Sequence, residues 1–187
     1  MQSINEWMLK TLRNDAEHLN AMPSHWLEII RDTWTPLIMR AISFILNDGT
    51  FLLCTDSKRS WLQTYILSKL NSLEVRRPYI PIYSFDVSLL KLLCSKKDSD
   101  NGALQDVLNM SYHRYALWYI GKIDNDIAKF ALEIPESFLW VLDESLENSF
   151  MLQSSDLNLD FKLIQAYRIF EQALFAGICG EFHIEER

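Results

Sequence analysis

The residues best placed for chemistry in this 187-residue chain follow short apolar runs that we expect to form parallel strands. In an open parallel sheet, ligands bind in the crevice beyond the carboxyl ends of the strands. Carboxylates are predicted at that edge, where they could bind Mg²⁺ or act as general acids and bases: Asp56, Asp124, Asp126, Asp143 and Glu144. The alternative is structural, because Asp56, Asp124 and Asp143 could equally cap helices or turns by accepting backbone N–H bonds.

The turn after the first predicted strand, residues 55–61, lies where many α/β proteins bind a phosphate, yet it contains no glycine. Glycine lets a backbone approach a phosphate closely, because it has no side chain and tolerates positive φ angles. The sequence also has no G-x-G-x-x-G, G-x-S-x-G or P-loop motif, and its four histidines lack the H-x-x-x-H spacing of a zinc site. We therefore predict a protein that is not an enzyme and that has no catalytic residue, cofactor or metal.

Composition predicts one globular domain over residues 1–187. Hydrophobic residues make up 49% of the chain and aromatic residues 12%, with five Gly and five Pro, which excludes a disordered or low-complexity protein. The net charge is −7 and the sequence pI is about 5.1. Proteins that hold DNA or RNA neutralise phosphates with Lys and Arg, so we expect no direct contact with nucleic acid.

The sequence shows no targeting segment and no cysteine framework, so we expect a cytoplasmic protein. No apolar run reaches the roughly 18 residues that span a bilayer, and the N-terminal pattern, with charged residues inside it, does not resemble a signal peptide. Three widely spaced cysteines, Cys54, Cys94 and Cys179, predict neither a disulfide framework nor a zinc site. Cys54 lies in an apolar run and is expected to be a buried, inert thiol.

Hydrophobic periodicity predicts helices and strands in alternation. A first helix begins after Ser3, which forms an S-x-x-E capping box with Glu6, and a second covers residues 26–47 and is kinked or restarted near Pro36. A third helix covers residues 61–73, another starts near Asp124, and a last one covers residues 160–178. Apolar runs predict strands at 51–55, 79–85, 116–120, 138–142 and 150–152. This order is typical of a three-layer α/β/α sandwich with a mainly parallel, about five-stranded sheet, which is Rossmann-like.

The last predicted helix carries an aromatic side chain on its outer surface. At 100° per residue its core face consists of Leu163, Tyr167, Phe170, Leu174 and Ile178. Phe175 instead projects among Ile164, Arg168, Glu171 and Gln172, where it would be partly exposed unless another chain covers it. A protein contact is one interpretation. Packing under the tail at 182–184, or within a homo-oligomer, is the other.

Four segments carry a resemblance to a known family. They are WLQTYILSKLN at 61–71, LWYIGKIDN at 117–125, SFLWVL at 137–142 and FEQALF at 170–175. The chain resembles the HobA family along essentially its whole length. That family consists of bacterial replication-initiation factors that bind the N-terminal region of the initiator DnaA and promote its ordered assembly at the origin. They are structural counterparts of DiaA, and both are similar to sugar isomerase (SIS) domains, so the resemblance implies a SIS-like fold.

The resemblance also implies a partner-binding site. Ala173-Leu174-Phe175 and the Arg77-Pro78-x-x-Pro81 stretch are similar to segments of DiaA, and in that wider family a near-terminal Leu-Phe pair belongs to the initiator-binding surface. Leu174 and Phe175 are therefore the residues implied for contact with DnaA, although Leu174 would face the core and position the helix end. The turn departs from the SIS pattern, because Asp56-Ser57-Lys58-Arg59 stands where the Gly- and Ser-rich sugar-phosphate loop belongs.

Side chains of that turn are secondary candidates for contact with the partner: Ser57, Lys58, Arg59 and Trp61. Lys58 and Arg59 could pair with acidic groups on a partner. The alternative is a solvated helix start that Ser57 caps.

The main hypothesis is a non-catalytic adaptor for DnaA N-terminal domains. The resemblance implies a homotetramer, which would present several weak sites at once. We expect the N-terminal helices, residues 3–47, to contribute to its subunit contacts through Trp7, Trp26 and Trp34. The alternatives are a phosphosugar isomerase or sugar-phosphate sensor of the SIS type, and a structural oligomer that does not bind DnaA.

Overall fold

The computed structural model describes residues 3–18, 25–72, 77–94 and 102–182. Within these ranges the chain forms eight α-helices, five strands and a short 3-10 turn at Ser57–Arg59. The helices are α1 (Ile4–His18), α2 (His25–Ile29), α3 (Arg31–Leu46), α4 (Ser60–Leu70), α5 (Val87–Cys94), α6 (Gly102–Ser111), α7 (Asp126–Glu133) and α8 (Leu159–Ile178). The strands are β1 (Thr50–Thr55), β2 (Ile82–Ser84), β3 (Tyr115–Gly121), β4 (Phe138–Leu142) and β5 (Ser149–Leu152). None of the helices described is long and apolar enough to cross a bilayer.

Contacts divide the chain into two compact units. The first comprises residues 1–46 and 155–187, and the second comprises residues 47–154. The second unit contains the sheet, whose strand order is β2-β1-β3-β4-β5, and every neighbouring pair is parallel. The α/β fold with a five-stranded parallel sheet is therefore confirmed for the residues described.

Helices cover both faces of this sheet. From β1 to β2 the chain crosses toward one edge of the sheet, and from β2 through β3 to β4 it crosses toward the opposite edge. Because such crossovers are right-handed, α4 lies on one face of the sheet and α5 to α7 lie on the other. Buried residues of α5, α6 and α7 pack in one cluster with Leu52, Cys54, Leu117 and Tyr119 of the sheet. The second unit is thus a three-layer α/β/α structure. As expected, the Cys54 side chain is fully buried, and burial raises the pKa of its thiol.

Aromatic side chains fill the face that carries the even-numbered residues of β4. Trp140 lies 5.4 Å from Trp118, 5.7 Å from Phe138 and 5.5 Å from Phe150, measured between ring centroids. All four side chains are almost completely buried. Tilted and edge-on aromatic pairs at such distances add to the stability that area burial provides. This packing holds together the neighbouring strands β3, β4 and β5, two of which end at the crevice edge.

The strand predictions were largely confirmed, whereas two helices were not predicted. The runs at 51–55, 116–120 and 138–142 correspond to β1, β3 and β4, and 150–152 lies within β5. β2 is shorter than the predicted 79–85, and α5 and α6 occupy a region for which no helix was expected. The polar stretch at 95–101 between them lies outside the described residues.

Helices form the first unit, and their starts differ in part from expectation. The capping box is confirmed, because Glu6 N donates to Ser3 Oγ and Ser3 N donates to Glu6 Oε2, both at 3.3 Å. A restart of the helix at Pro36 is wrong: the chain breaks at Ile30, and α3 continues through Pro36. The N–H groups of Thr33 and Trp34 both donate to Ile30 O, which restarts the helix before the proline.

The three tryptophans of the N-terminal helices make contacts within the first unit. Trp34 is 1% exposed, so its expected contribution to a subunit interface is wrong for its side chain. Trp26 Nε1 donates to Gln165 Oε1 at 2.9 Å, and Trp7 Nε1 donates to Glu181 Oε2 at 3.1 Å. Trp7 and Trp26 are half-buried and tie α1 and α2 to the segment that contains α8.

Candidate functional site

The crevice edge of the sheet is formed where β1, β3 and β4 end. Asp56 follows β1, Lys122 follows β3 and Asp143 follows β4. Because the strands are parallel and adjacent, these three residues lie at the same edge, where open α/β sheets bind their ligands. They therefore define what the crevice can bind.

The Asp56 carboxylate is bonded from several directions by groups of its own chain. Its Oδ1 accepts N–H bonds from Lys58 and Arg59, both at 3.1 Å, and so caps the 3-10 turn. Its Oδ2 accepts the N–H of Lys122 at 2.9 Å and a guanidinium N–H of Arg59. The cap is thus Asp56, and the expectation that Ser57 would cap this turn is wrong. A structural role for Asp56 is confirmed.

Gly121 brings the end of β3 close to this carboxylate. Its φ is +156°, and a Cβ at this position would lie 2.6 Å from Asp56 Oδ2 and 2.8 Å from the Tyr119 hydroxyl oxygen. Real Cβ atoms do not approach neighbours so closely, so the contact between the two strand ends depends on glycine. The turn after β1 has no glycine; the glycine that lies against Asp56 is the last residue of β3.

A second group of polar contacts is centred on Lys122. Its carbonyl oxygen accepts the hydroxyl of Tyr119 and, at 2.7 Å, an amide N–H of Asn125. Burial raises the pKa of Tyr119 to about 12, so its hydroxyl remains protonated and donates this bond. Asn125 also caps α7 by accepting the Ala128 N–H at 3.0 Å. The cap role proposed for Asp124 is therefore wrong, and the Asp124 side chain is exposed.

Asp143 joins the end of β4 to the residues around it. It has φ +70° and accepts the N–H and the hydroxyl of Ser154, both at 2.6 Å, and the Lys122 ammonium at 2.7 Å. These bonds hold the pKa of Asp143 well below its usual value, and the bond from Lys122 has the largest effect. The turn role expected for Asp143 is confirmed. No cluster of three or more potential metal ligands occurs among the residues that the structure describes.

The contacts of Asp143 predict an acid sensitivity. The pKa of Asp143 is lower in the folded than in the unfolded chain, so the unfolded chain binds more protons in acid. The contribution of the ionised carboxylate to the free energy of unfolding therefore falls as the pH drops from about 4 toward the folded pKa. We expect Asp143→Asn to flatten the decline of the unfolding free energy below pH 4, measured by urea titration at several pH values. Asp126→Asn, which removes an exposed carboxylate paired with Lys129, is the control. A wild-type slope in Asp143→Asn would contradict this assignment.

The structure separates the four turn residues singled out for partner contact. The side chains of Ser57 and Lys58 are exposed, and Trp61 is 38% exposed. Arg59 is instead buried against Asp56, with 8% of its side chain exposed, so it holds the turn from inside. From the sequence alone, an arginine in a polar turn is expected to be exposed. Its pairing with the buried carboxylate of Asp56 becomes apparent only in the structure.

Helix α8 places Leu174 and Phe175 in different surroundings. Leu174 is completely buried, together with Leu163, Tyr167 and Phe170 of the predicted core face. Phe175 is half-buried, on the helix side that includes the exposed Arg168. The predicted partial exposure of Phe175 is therefore confirmed. Leu174 has no surface to offer a partner in this conformation.

The C-terminal end of α8 is tightly fixed one turn after Phe175. Glu181 N donates to Ala176 O at 2.9 Å and Gly180 N donates to Gly177 O at 3.1 Å, with Gly180 at φ +71°, which is a Schellman motif. Phe182 then packs against Trp7 of α1, with ring centroids 5.5 Å apart. His183 and Ile184, which were considered as cover for Phe175, lie outside the described residues.

Comparisons with known proteins agree along nearly the whole chain. The model of one family, described as HobA, DNA replication regulator, matches residues 1–184. The DNA replication regulator protein HobA of Helicobacter pylori is 36% identical over 179 residues, which are 94% of this chain and 96% of that protein.

Solved structures give the same result. A crystal structure of a HobA-DnaA (domain I-II) complex from Helicobacter pylori matches with a TM-score of 0.74 and 32% identity, covering 98% of this chain and 99% of that one. HobA from the same organism matches with a TM-score of 0.71, 32% identity and coverage of 97% and 99%. A phosphoheptose isomerase from Francisella tularensis, at 16% identity, has a TM-score of 0.55 over 92% and 96% of the two chains, which shows a shared fold.

Proposed function

The chain belongs to the HobA family of DNA replication regulators, and we propose that it is a non-catalytic adaptor that binds the N-terminal region of a DnaA initiator. One observation carries the proposal: a similar HobA has been solved in complex with DnaA domains I and II, and that structure aligns with 98% of this chain. The family resemblance seen in the sequence leads to the same partner.

The contacts at the crevice edge support a role without catalysis. An isomerase needs a base and a polar group that can reach a substrate. The carboxylates that directly follow β1 and β4 are both bonded by groups of this chain, Asp56 by Arg59 and Lys122, and Asp143 by Lys122 and Ser154. The fold shared with an isomerase is therefore compatible with a protein that has lost the reaction.

One surface on each unit is proposed to meet the partner. On the first unit, Phe175 supplies a half-buried aromatic ring, and buried Leu174 positions the helix that carries it. On the second unit, Ser57, Lys58 and Trp61 are exposed on a turn that Arg59 holds from inside. Aromatic side chains such as Phe175 and Trp61 are enriched in protein interfaces.

We propose a cytoplasmic homotetramer in which residues 3–47 contribute to subunit contacts. Several copies of one weak site raise the effective concentration of the initiator at the tetramer. The tetramer can therefore bind tightly although each single contact is weak. In the first unit Ile29, which is 70% exposed at the end of α2, is a better-placed apolar contact than Trp34. The net charge of −7 fits an adaptor that leaves DNA contact to DnaA.

Calorimetric titration of the chain with a DnaA fragment spanning domains I and II tests this proposal. We expect saturable binding that weakens as salt is raised, since Lys58 contributes a charge to one surface. A thermal-shift panel of sugar phosphates tests the alternative and should leave the melting temperature unchanged. Absence of binding to DnaA, or stabilisation by one sugar phosphate, would overturn the adaptor proposal.

A further inference from the structure

We propose that Asp56 is an internal oxyanion seated in a cradle with the chemistry of a phosphate site, and that its carboxylate keeps external oxyanions out. The bonding groups come from two separate segments of the second unit. The N–H groups of Lys58 and Arg59 belong to the turn after β1, whereas the N–H of Lys122 follows β3. Together with the Arg59 guanidinium they surround a single carboxylate.

Groups of this kind are those with which proteins bind phosphate and carboxylate ions. Convergent backbone N–H groups form concave anion sites, and a guanidinium adds charge-assisted bonds to an oxyanion. Here the distances from the three N–H nitrogens to the Asp56 oxygens are 2.9 to 3.1 Å. An anion is therefore already bound in the cradle, and it is part of the chain.

The burial of the pair indicates what its removal would cost. Only 11% of the Asp56 side chain and 8% of the Arg59 side chain are exposed. Without the carboxylate, a buried cation and three N–H groups would lose their common partner, which is strongly unfavourable. A small external oxyanion that enters the vacated space would restore these bonds.

Gly121 allows the close approach that completes the cradle. A side chain there would collide with Asp56 Oδ2, so the glycine allows the Lys122 N–H to reach the anion. With Asp56 in place, the donors of the cradle already have their acceptor, so a second oxyanion would have to displace the carboxylate.

Chemical rescue of Asp56→Ala tests the proposal. Thermal unfolding is measured with sodium formate, inorganic phosphate or sodium chloride at equal ionic strength. Formate or phosphate well above its dissociation constant should raise the melting temperature of Asp56→Ala over its value in chloride by on the order of 3 °C more than it raises that of the wild type. The comparison with wild type removes the general stabilising effect of phosphate.

Two further variants locate the effect. Asp56→Ala/Arg59→Ala should lose the rescue, because the cation is gone. Asp143→Ala, which removes a more exposed carboxylate paired with Lys122, should show no rescue. Equal responses of Asp56→Ala and wild type to the oxyanions would overturn the proposal.

A folding failure of Asp56→Ala would also be informative. Refolding in formate but not in chloride would support the proposal. If Asp56→Ala and the milder Asp56→Ser both fail to fold in every salt, an external oxyanion does not replace the carboxylate, and the proposal is wrong.

Discussion

Replacing Phe175 with alanine should weaken binding of the DnaA fragment by about 2 kcal/mol, roughly 30-fold in the dissociation constant. The ring is half-buried on α8, and the Schellman motif one turn later fixes the backbone that carries it. A rigid aromatic side chain contributes contact area at little entropic cost when a partner covers it. Calorimetric titration of the variant measures the change.

Phe161→Ala is the matched control for this prediction. Phe161 is also an aromatic residue of α8 and is 51% exposed, but it lies near the start of the helix. It should bind DnaA as the wild type does, and both variants should keep the wild-type unfolding transition. Equal losses in the two variants, or none in Phe175→Ala, would remove Phe175 from the site. Leu174→Ala is a poor probe, because truncating a completely buried leucine would destabilise the fold itself.

Gly121→Ala should lower the free energy of unfolding by about 3 kcal/mol. The added Cβ would lie 2.6 Å from Asp56 Oδ2 and 2.8 Å from the Tyr119 hydroxyl oxygen. Asp56 is bonded on several sides, so relief of the collision would break its bonds to Lys122 or Arg59. Urea unfolding monitored by circular dichroism measures the loss.

Gly180→Ala is the control that separates the cost of a steric collision from the cost of a positive φ angle. Gly180 has φ +71°, but a Cβ there would meet nothing within 4 Å. Its replacement should cost only the conformational preference, about 1 kcal/mol. If Gly121→Ala were no more destabilising than Gly180→Ala, the crowded contact between the ends of β1 and β3 would not contribute as described.

The buried strands could be predicted from the sequence because the sheet is parallel. A strand covered on both faces needs apolar residues at every position, so β4 appears as an uninterrupted apolar run whose bounds were predicted correctly. The core face of α8 was equally visible, since its apolar residues recur with helical spacing.

Other features depend on contacts that no local pattern reveals. The chain breaks at Ile30 because backbone bonds restart α3 there, whereas Pro36 is tolerated inside the helix. Asp56 and Lys122 are far apart in sequence, so their bond could not be anticipated from the turn alone. This bond makes Asp56 part of the chain's own structure, and Arg59 is buried where it pairs with the same carboxylate.

Light scattering of the purified chain, alone and mixed with DnaA domains I and II, tests the central claim most directly. The account predicts a homo-oligomer whose mass rises when the DnaA fragment is added, and a Phe175→Ala oligomer of equal mass that gains much less. A wild-type oligomer whose mass does not rise at any concentration of the DnaA fragment would contradict the adaptor account.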